Sequence, residues 1–358
     1  MKTGIAHLPL HTGKAPAWLF RRMKELGREI ILVLIADYGA DEVLRRLSDP
    51  YWFQALGCVL GFDWHSSGVT TTVCGALKEG LNPLSRETGL VIAGGKGLTS
   101  RRTPFEIAAA SAALQIDPTP LTYASRMAAK VDNTALQDGY QLYHHLFLFT
   151  RQGQWGVIQQ GMNPENRYAR RYHWLGEQVE DFVCEPESAI CCDRREGEVL
   201  NMVAAESERA RLASTTLSRE APDHLFQEVE RLTTLTLPAR HAVALADLNP
   251  KRLRSVLLKT YETAPQNFEG LLGLPGVGPK AIRALALLSE LIYGAPPSFQ
   301  DPARYSLAHG GKDGYPYPVS PEVYDTSIHF LRRALQAAKI GHADKLQAFR
   351  RLDRIFSA

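Results

Sequence analysis

Long apolar runs are missing from this chain of 358 residues, which nowhere reaches the roughly 18 uninterrupted apolar residues that a membrane span needs. The stretch Met1 to His7 shows no apolar core followed by a small-residue cleavage site, so the expectation is a cytoplasmic protein with no membrane partner. Cysteine is scarce. Cys58, Cys74, Cys184, Cys191 and Cys192 are odd in number and irregular in spacing, which argues against a disulfide framework. The cluster from Cys184 to Cys192 fits no common zinc spacing and reads as ordinary thiols. Compositional bias is absent as well. With 45% hydrophobic and 22% charged residues, the chain is neither disordered nor fibrous in character, and its length points to two domains, each with its own core.

A strong overall charge is also lacking, since the formal net charge is +3. Its distribution says more: residues 250–358 hold 15 Lys/Arg against 9 Asp/Glu, a surplus of +6 that leaves the first 249 residues at −3. The basic end is the better binder of a polyanion.

From Trp18 to Leu47 apolar residues recur at helical spacing, broken at Asp37-Tyr38-Gly39, which predicts two helices. Residues 51–60 are largely apolar and read as buried, and Val69 to Leu77 forms a further element. Gly94-Gly95-Lys96-Gly97 running into Ser100-Arg101-Arg102 reads as a loop, with a helix starting at Pro104. Residues 142–150 and 155–160 are β-rich and joined by Arg151-Gln152-Gly153-Gln154, the sequence of a hairpin. Charged helical pattern returns from Asn201 to Leu212, and Ser214 to Pro222 reads as a linker. Beyond it the pattern is helical except for Asp301 to Pro321, a long Gly/Pro/Tyr-rich loop with the look of a functional segment. The fold class expected is therefore an α+β N-terminal module with at least one antiparallel β-hairpin over 1–213, a linker at 214–222, and an all-α domain over 223–358.

Within that last part, Leu271, Leu272 and Leu274 pack one short helix against the next, and Gly276 and Gly278 allow a tight turn. Pro279 suits the first position of the following helix, where unpaired backbone N–H groups and the helix dipole make an anion site. Glycines let a phosphate come close, and Lys280 adds charge. The DNA-binding set read here is Leu274, Gly276, Val277, Gly278 and Lys280, and such contact reads backbone rather than bases.

This segment, 268–292, resembles the helix-hairpin-helix of DNA repair proteins. Across almost its full length the chain resembles an archaeal and thermophile-enriched family, domain of unknown function number 763. The residues that carry the likeness are Asp63-Trp64-His65-Ser66-Ser67-Gly68, Lys130-Val131-Asp132, Gln137 to His145, Gln159 to Asn163, Arg170 to Trp174 and Ala308 to Asp313. The resemblance implies a bipartite protein with a helical DNA-binding tail, acting on DNA as a nuclease.

Phosphodiester hydrolysis calls for carboxylates or imidazoles that hold a cation and activate water. The candidate catalytic residues are Asp63, His65, Lys130, Asp132, Asp138, His144, His145 and Gln160, with Asp132, Asp138 and His144 as the set for Mg or Mn. Lys96, Arg101 and Arg102 on the glycine-rich segment, with Arg170 and Arg171 beside Tyr172 and Trp174, suit a strand of single-stranded DNA, cations on phosphates and rings under bases. The hairpin also resembles that of phospholipase D-like nucleases, in which a lysine follows the strand histidine by two residues; Phe147 stands there, against a phosphohistidine route. Two other readings remain. A helix-hairpin-helix DNA glycosylase or AP lyase would use Lys280 as nucleophile with Asp301 downstream, and a non-catalytic DNA-binding repair protein would hold DNA without cutting it. A homodimer is left open.

Overall fold

A computed structural model describes residues 15–62, 67–192, 195–232, 250–303 and 321–356. Four helices come first: α1 (Ala17–Tyr38), α2 (Ala40–Ser48), α3 (Pro50–Leu60) and α4 (Gly68–Leu81). The break between α1 and α2 falls at Gly39, whose φ of 86° favours glycine. Asp49 then caps α3, accepting from the Trp52 amide at 2.6 Å, with Pro50 in the first turn. Every residue from Tyr51 to Leu60 is buried, so α3 is apolar all round because no face of it meets water.

A short helix α5 (Ser85–Thr88) leads into β1 (Leu90–Lys96), a 3-10 segment (Gly97–Arg102), α6 (Thr103–Leu114) and α7 (Pro118–Lys130). A π-helical turn over Val131–Ala135 follows, then β2 (Leu136–Gln137), β3 (Gln141–Thr150), β4 (Trp155–Asn163), β5 (Tyr168–Leu175), β6 (Ala189–Cys191) and β7 (Leu200–Asn201). One sheet has the order β1-β3-β4-β5-β6 with every pairing antiparallel; β2 and β7 form a separate pair. The hairpin expected at Arg151–Gln154 is there, closed by Thr150 N–H to Gln154 O at 2.9 Å and turned at Gly153, φ 81°.

The glycine-rich segment differs from expectation. Gly94, Gly95 and Lys96 continue β1, opposite Leu146, His145 and His144. A Cβ at Gly94 would lie 2.3 Å from the His145 carbonyl oxygen and 2.6 Å from Thr103 Oγ1, so glycine here serves close approach within a strand rather than a loose loop. Asn201 lies in β7 rather than in a helix, and the helix expected from there begins at Glu208.

The remaining helices are α8 (Glu208–Leu217), α9 (Pro222–Leu232), α10 (Pro250–Thr263), α11 (Phe268–Gly273), α12 (Pro279–Tyr293), α13 (Pro321–Ala337) and α14 (His342–Phe356). The expected linker at 214–222 is corrected: Ser214 to Leu217 are the last turn of α8, with Ser214, Thr215, Leu217 and Ser218 buried. Nor does the packing break there. Alternation along the strands gives the sheet two apolar faces, and C-terminal helices cover both. On one, Val91, Phe147, Phe149, Val157 and Trp174 join a core with Met127, Leu271, Ile282 and Leu285. On the other, Ile92, Leu146, Leu148 and Ile158 join one with Ile30, Phe53, Leu331 and Leu352. The fold is α+β, an antiparallel sheet between helical layers. No helix among the described residues is long and apolar enough to cross a membrane.

Candidate functional site

The same alternation divides the expected catalytic residues. On the face covered by α7, Ser125 Oγ lies 2.8 Å from His145 Nε2, and His145 Nδ1 lies 2.7 Å from Gln159 Oε1. Gln159 Nε2 donates to Asp132 Oδ2 at 2.5 Å and to the Ala128 carbonyl at 3.2 Å. Those two acceptors fix the amide orientation, which presents Oε1 to His145; its Nδ1 therefore carries the proton and its Nε2 accepts from Ser125. Burial lowers the His145 pKa to about 4, so the ring is neutral at pH 7.

Asp132 also accepts from Trp174 Nε1 at 2.9 Å. Burial, and then its hydrogen-bonded neighbour Glu187, raise its pKa well above the usual carboxylate range. Asp138 accepts from Tyr172 Oη at 2.7 Å, from the Tyr140 amide at 3.0 Å and from Arg170 Nη1 at 2.9 Å. Arg170 reaches Asp301 as well, Nη1 to Oδ1 at 2.9 Å and Nη2 to Oδ2 at 2.7 Å. Burial opposes the Arg170 charge, but Asp138 and the groups around it more than offset that and raise its pKa.

The opposite face carries His144 and Gln160. A register shift between Leu142 and His144 disturbs the β3–β4 ladder at this point. Gln160 Nε2 donates to the Ser67 carbonyl at 3.0 Å and to Tyr143 Oη at 2.5 Å. Next on β5, Arg171 donates to Gln54 Oε1 at 2.9 Å and lies 4.8 Å over the Phe53 ring.

Several expectations need correction. Asp132 and Asp138 lie on one face and His144 on the other, so the sheet itself separates the three residues expected to hold Mg or Mn. Among the described residues no group of three His, Cys, Asp or Glu is placed to hold a metal ion. Asp132, Asp138 and His144 as placed do not fit one divalent cation, because Asp138 is committed to Tyr172 and Arg170, Asp132 Oδ2 to Gln159 and Trp174, and His144 lies across the sheet. Arg170 and Arg171, with Tyr172 and Trp174, are wholly buried rather than a platform for a DNA strand, since β5 points them alternately into the two cores. Asp301, needed by the glycosylase reading, is held by Arg170. Asp63 and His65 lie outside the described residues, as does the stretch 304–320.

Lys130 takes a different part from the catalytic one expected. Its Nζ donates to the Val277 and Leu274 carbonyls of the turn that joins α11 to α12. Gln137 Nε2 donates to the Pro279 carbonyl at 2.9 Å and Gln137 Oε1 accepts from Arg283 at 2.8 Å, while the Tyr123 hydroxyl donates to Glu269. Tyr123 was not singled out from the sequence, and Gln137 was named only within the family likeness with no role, because the sequence offers no signal for contacts across about 146 residues.

These contacts orient the turn. In a trans peptide, C=O and N–H point in opposite directions. With the Val277 and Pro279 carbonyls drawn toward Lys130 and Gln137, the Gly278 and Lys280 amides point away from them. Gly276 (φ 95°), Pro279 and Lys280 are exposed, Val277 is buried as the apolar anchor, and a Cβ built at Gly278 meets no atom within 4 Å. Among the described residues the Gly276 and Gly278 amides have no hydrogen-bond partner, but the Val277 amide, expected to face a phosphate, bonds back to the Leu274 carbonyl at 3.3 Å and is corrected out of that set. Lys96, Arg101 and Arg102 are exposed beside Leu98 and Phe105, each 76% exposed.

Neither the curated proteins nor the solved structures include a match to this chain. A sequence model of one family does match, over residues 4–319, and the chain accordingly belongs to the family described as "Protein of unknown function (DUF763)".

Proposed function

We propose that this protein binds DNA by its phosphate backbone at the turn Leu274–Lys280 and acts on it as a nuclease. The observation that carries the reading is the orientation of that turn: Lys130 and Gln137 draw in its carbonyls, leaving the amides of Gly278 and Lys280 directed outward at the start of α12. Outward amides at a helix N-terminus suit a phosphate oxygen, and Gly278 leaves room for it. This is a helix-hairpin-helix in its proposed role.

A second surface supports the reading. Lys96, Arg101 and Arg102 are exposed cations on the segment that leads into the exposed Phe105, a combination that suits single-stranded DNA, with a base on the ring and phosphates on the arginines. The preference for single strands now rests on this patch, because the rings of 172 and 174 are in the core. The cutting step is assigned no metal.

The test is incubation of the full chain with end-labelled single-stranded and duplex DNA of equal length, with and without EDTA, across a salt series. The expected result is a gel shift that weakens steeply as salt rises, together with shortened products from undamaged DNA. Retention without products would leave a binding protein, and a borohydride-trapped adduct on damaged duplex would favour the glycosylase reading.

A further inference from the structure

Across the sheet, Lys96, His144, Gln160, Arg171 and Cys191 stand directly opposite one another on five successive strands, so their side chains line one face as a row. Cys191 is neutral, its thiol pushed by burial to about 12. The row starts at the surface with Lys96, whose ammonium lies 5.7 Å from the Tyr143 ring, and runs inward to Arg171.

Three features of the row have no explanation in the packing. Both ring nitrogens of His144 are buried with no hydrogen-bond partner among the described residues. Gln160 Oε1 and Arg171 Nε, on the two neighbouring strands, are in the same condition. Arg171 has no carboxylate partner among the described residues; its hydrogen-bond acceptors are Gln54 Oε1, Thr70 Oγ1 and the Cys191 sulfur, and its guanidinium keeps its charge in proteins. The contrast with Arg170 is direct, since that neighbour has two aspartates. Among the described residues Arg171 is thus a buried cation with no carboxylate beside it, close to an unused ring N–H of His144, an arrangement that is costly unless an anion completes it.

We infer that this row is a binding site for a phosphoryl group, with Arg171 and Lys96 supplying charge and His144 a hydrogen bond. Its identification with the phosphodiester to be cut rests on the nuclease reading; the binding of phosphate itself does not. A tetrahedral oxyanion offers acceptors to the unpartnered Arg171 Nε–H and to a ring N–H of His144.

The probe is inorganic phosphate, added to the full-length protein at constant ionic strength against chloride and followed by thermal unfolding. Phosphate is expected to raise Tm progressively with concentration, as a ligand of the native state does. Lys96→Ala, at an exposed position that leaves folding intact, is expected to at least halve the shift, and His144→Leu to abolish it. No rise above the chloride control, or equal rises in wild type and Lys96→Ala, would overturn the inference. A labelled oligonucleotide separates the two claims. Phosphate stabilisation without oligonucleotide binding sinks the DNA reading and leaves the anion site, whereas oligonucleotide binding without phosphate stabilisation does the reverse.

Discussion

Arg170→Met is expected to lower the unfolding free energy by about 3–5 kcal/mol, the range for removing one partner of a buried ion pair. Arg170 is wholly buried, with Asp138 and Asp301 on its donors and the Tyr140 ring 4.5 Å from its guanidinium carbon. Methionine fills much of the volume but returns none of the charge, so two buried carboxyls lose their cation. Asp301 also accepts the Glu196 amide at 2.6 Å and the Ala303 amide at 2.9 Å, so the loss spreads to the segment that ties β5 to residues 195–303. Urea denaturation measures it, with Arg45→Met as control. Arg45 pairs with Glu177 at 2.7 Å on the surface, where such a pair contributes only about 0–1 kcal/mol. Equal losses in the two variants would show that the Arg170 network holds nothing together.

Gly94→Ala is the other large effect, expected to cost about 3 kcal/mol or more from two sources. A φ of 88° costs an alanine roughly 1–2 kcal/mol. The new Cβ would then sit 2.3 Å from the His145 carbonyl oxygen, a backbone atom held in the β1–β3 ladder. Relieving that contact disturbs the hydrogen bonds from the Gly94 amide to Glu106 at 2.8 Å and from Lys78 to the Gly94 carbonyl at 2.7 Å. Gly97→Ala separates the terms, because its φ is 59° with open space around the added atom. It should show the backbone cost of about 1–2 kcal/mol alone, and a Gly94 variant no worse than this would remove the case for close approach.

Local features were legible in the sequence. The β3–β4 hairpin could be read because alternation and a turn glycine are both short-range signals, and so could the break near Gly39 and the helix start at Pro104. What failed depended on distant partners. Arg170 and Arg171 looked like surface cations because arginine is rarely buried unless paired, and the pairing aspartate at 301 lies 131 residues away. Gly94 looked like a loop residue because the strand carbonyl that crowds it, at His145, is elsewhere in the chain. The boundary near 214–222 looked like a linker because its polar serines and threonines bond to backbone and to Ser289, inside a packed interface. Of the candidate site, residue types were readable, but their division between two faces followed only once the strand register was known.

DNA binding as proposed depends on the Gly278 and Lys280 amides at the start of α12, and Gly278→Glu tests them. Its φ of −131° is open to any residue and its Cβ meets free space, so the variant should unfold at the wild-type Tm while placing a carboxylate where a phosphate would sit. The deciding measurement is fluorescence anisotropy of a labelled oligonucleotide titrated with both proteins at one fixed salt concentration. The account predicts at least about tenfold weaker binding by the variant, equivalent to about 1.4 kcal/mol. Equal affinity of the two proteins, with Tm unchanged, would contradict it.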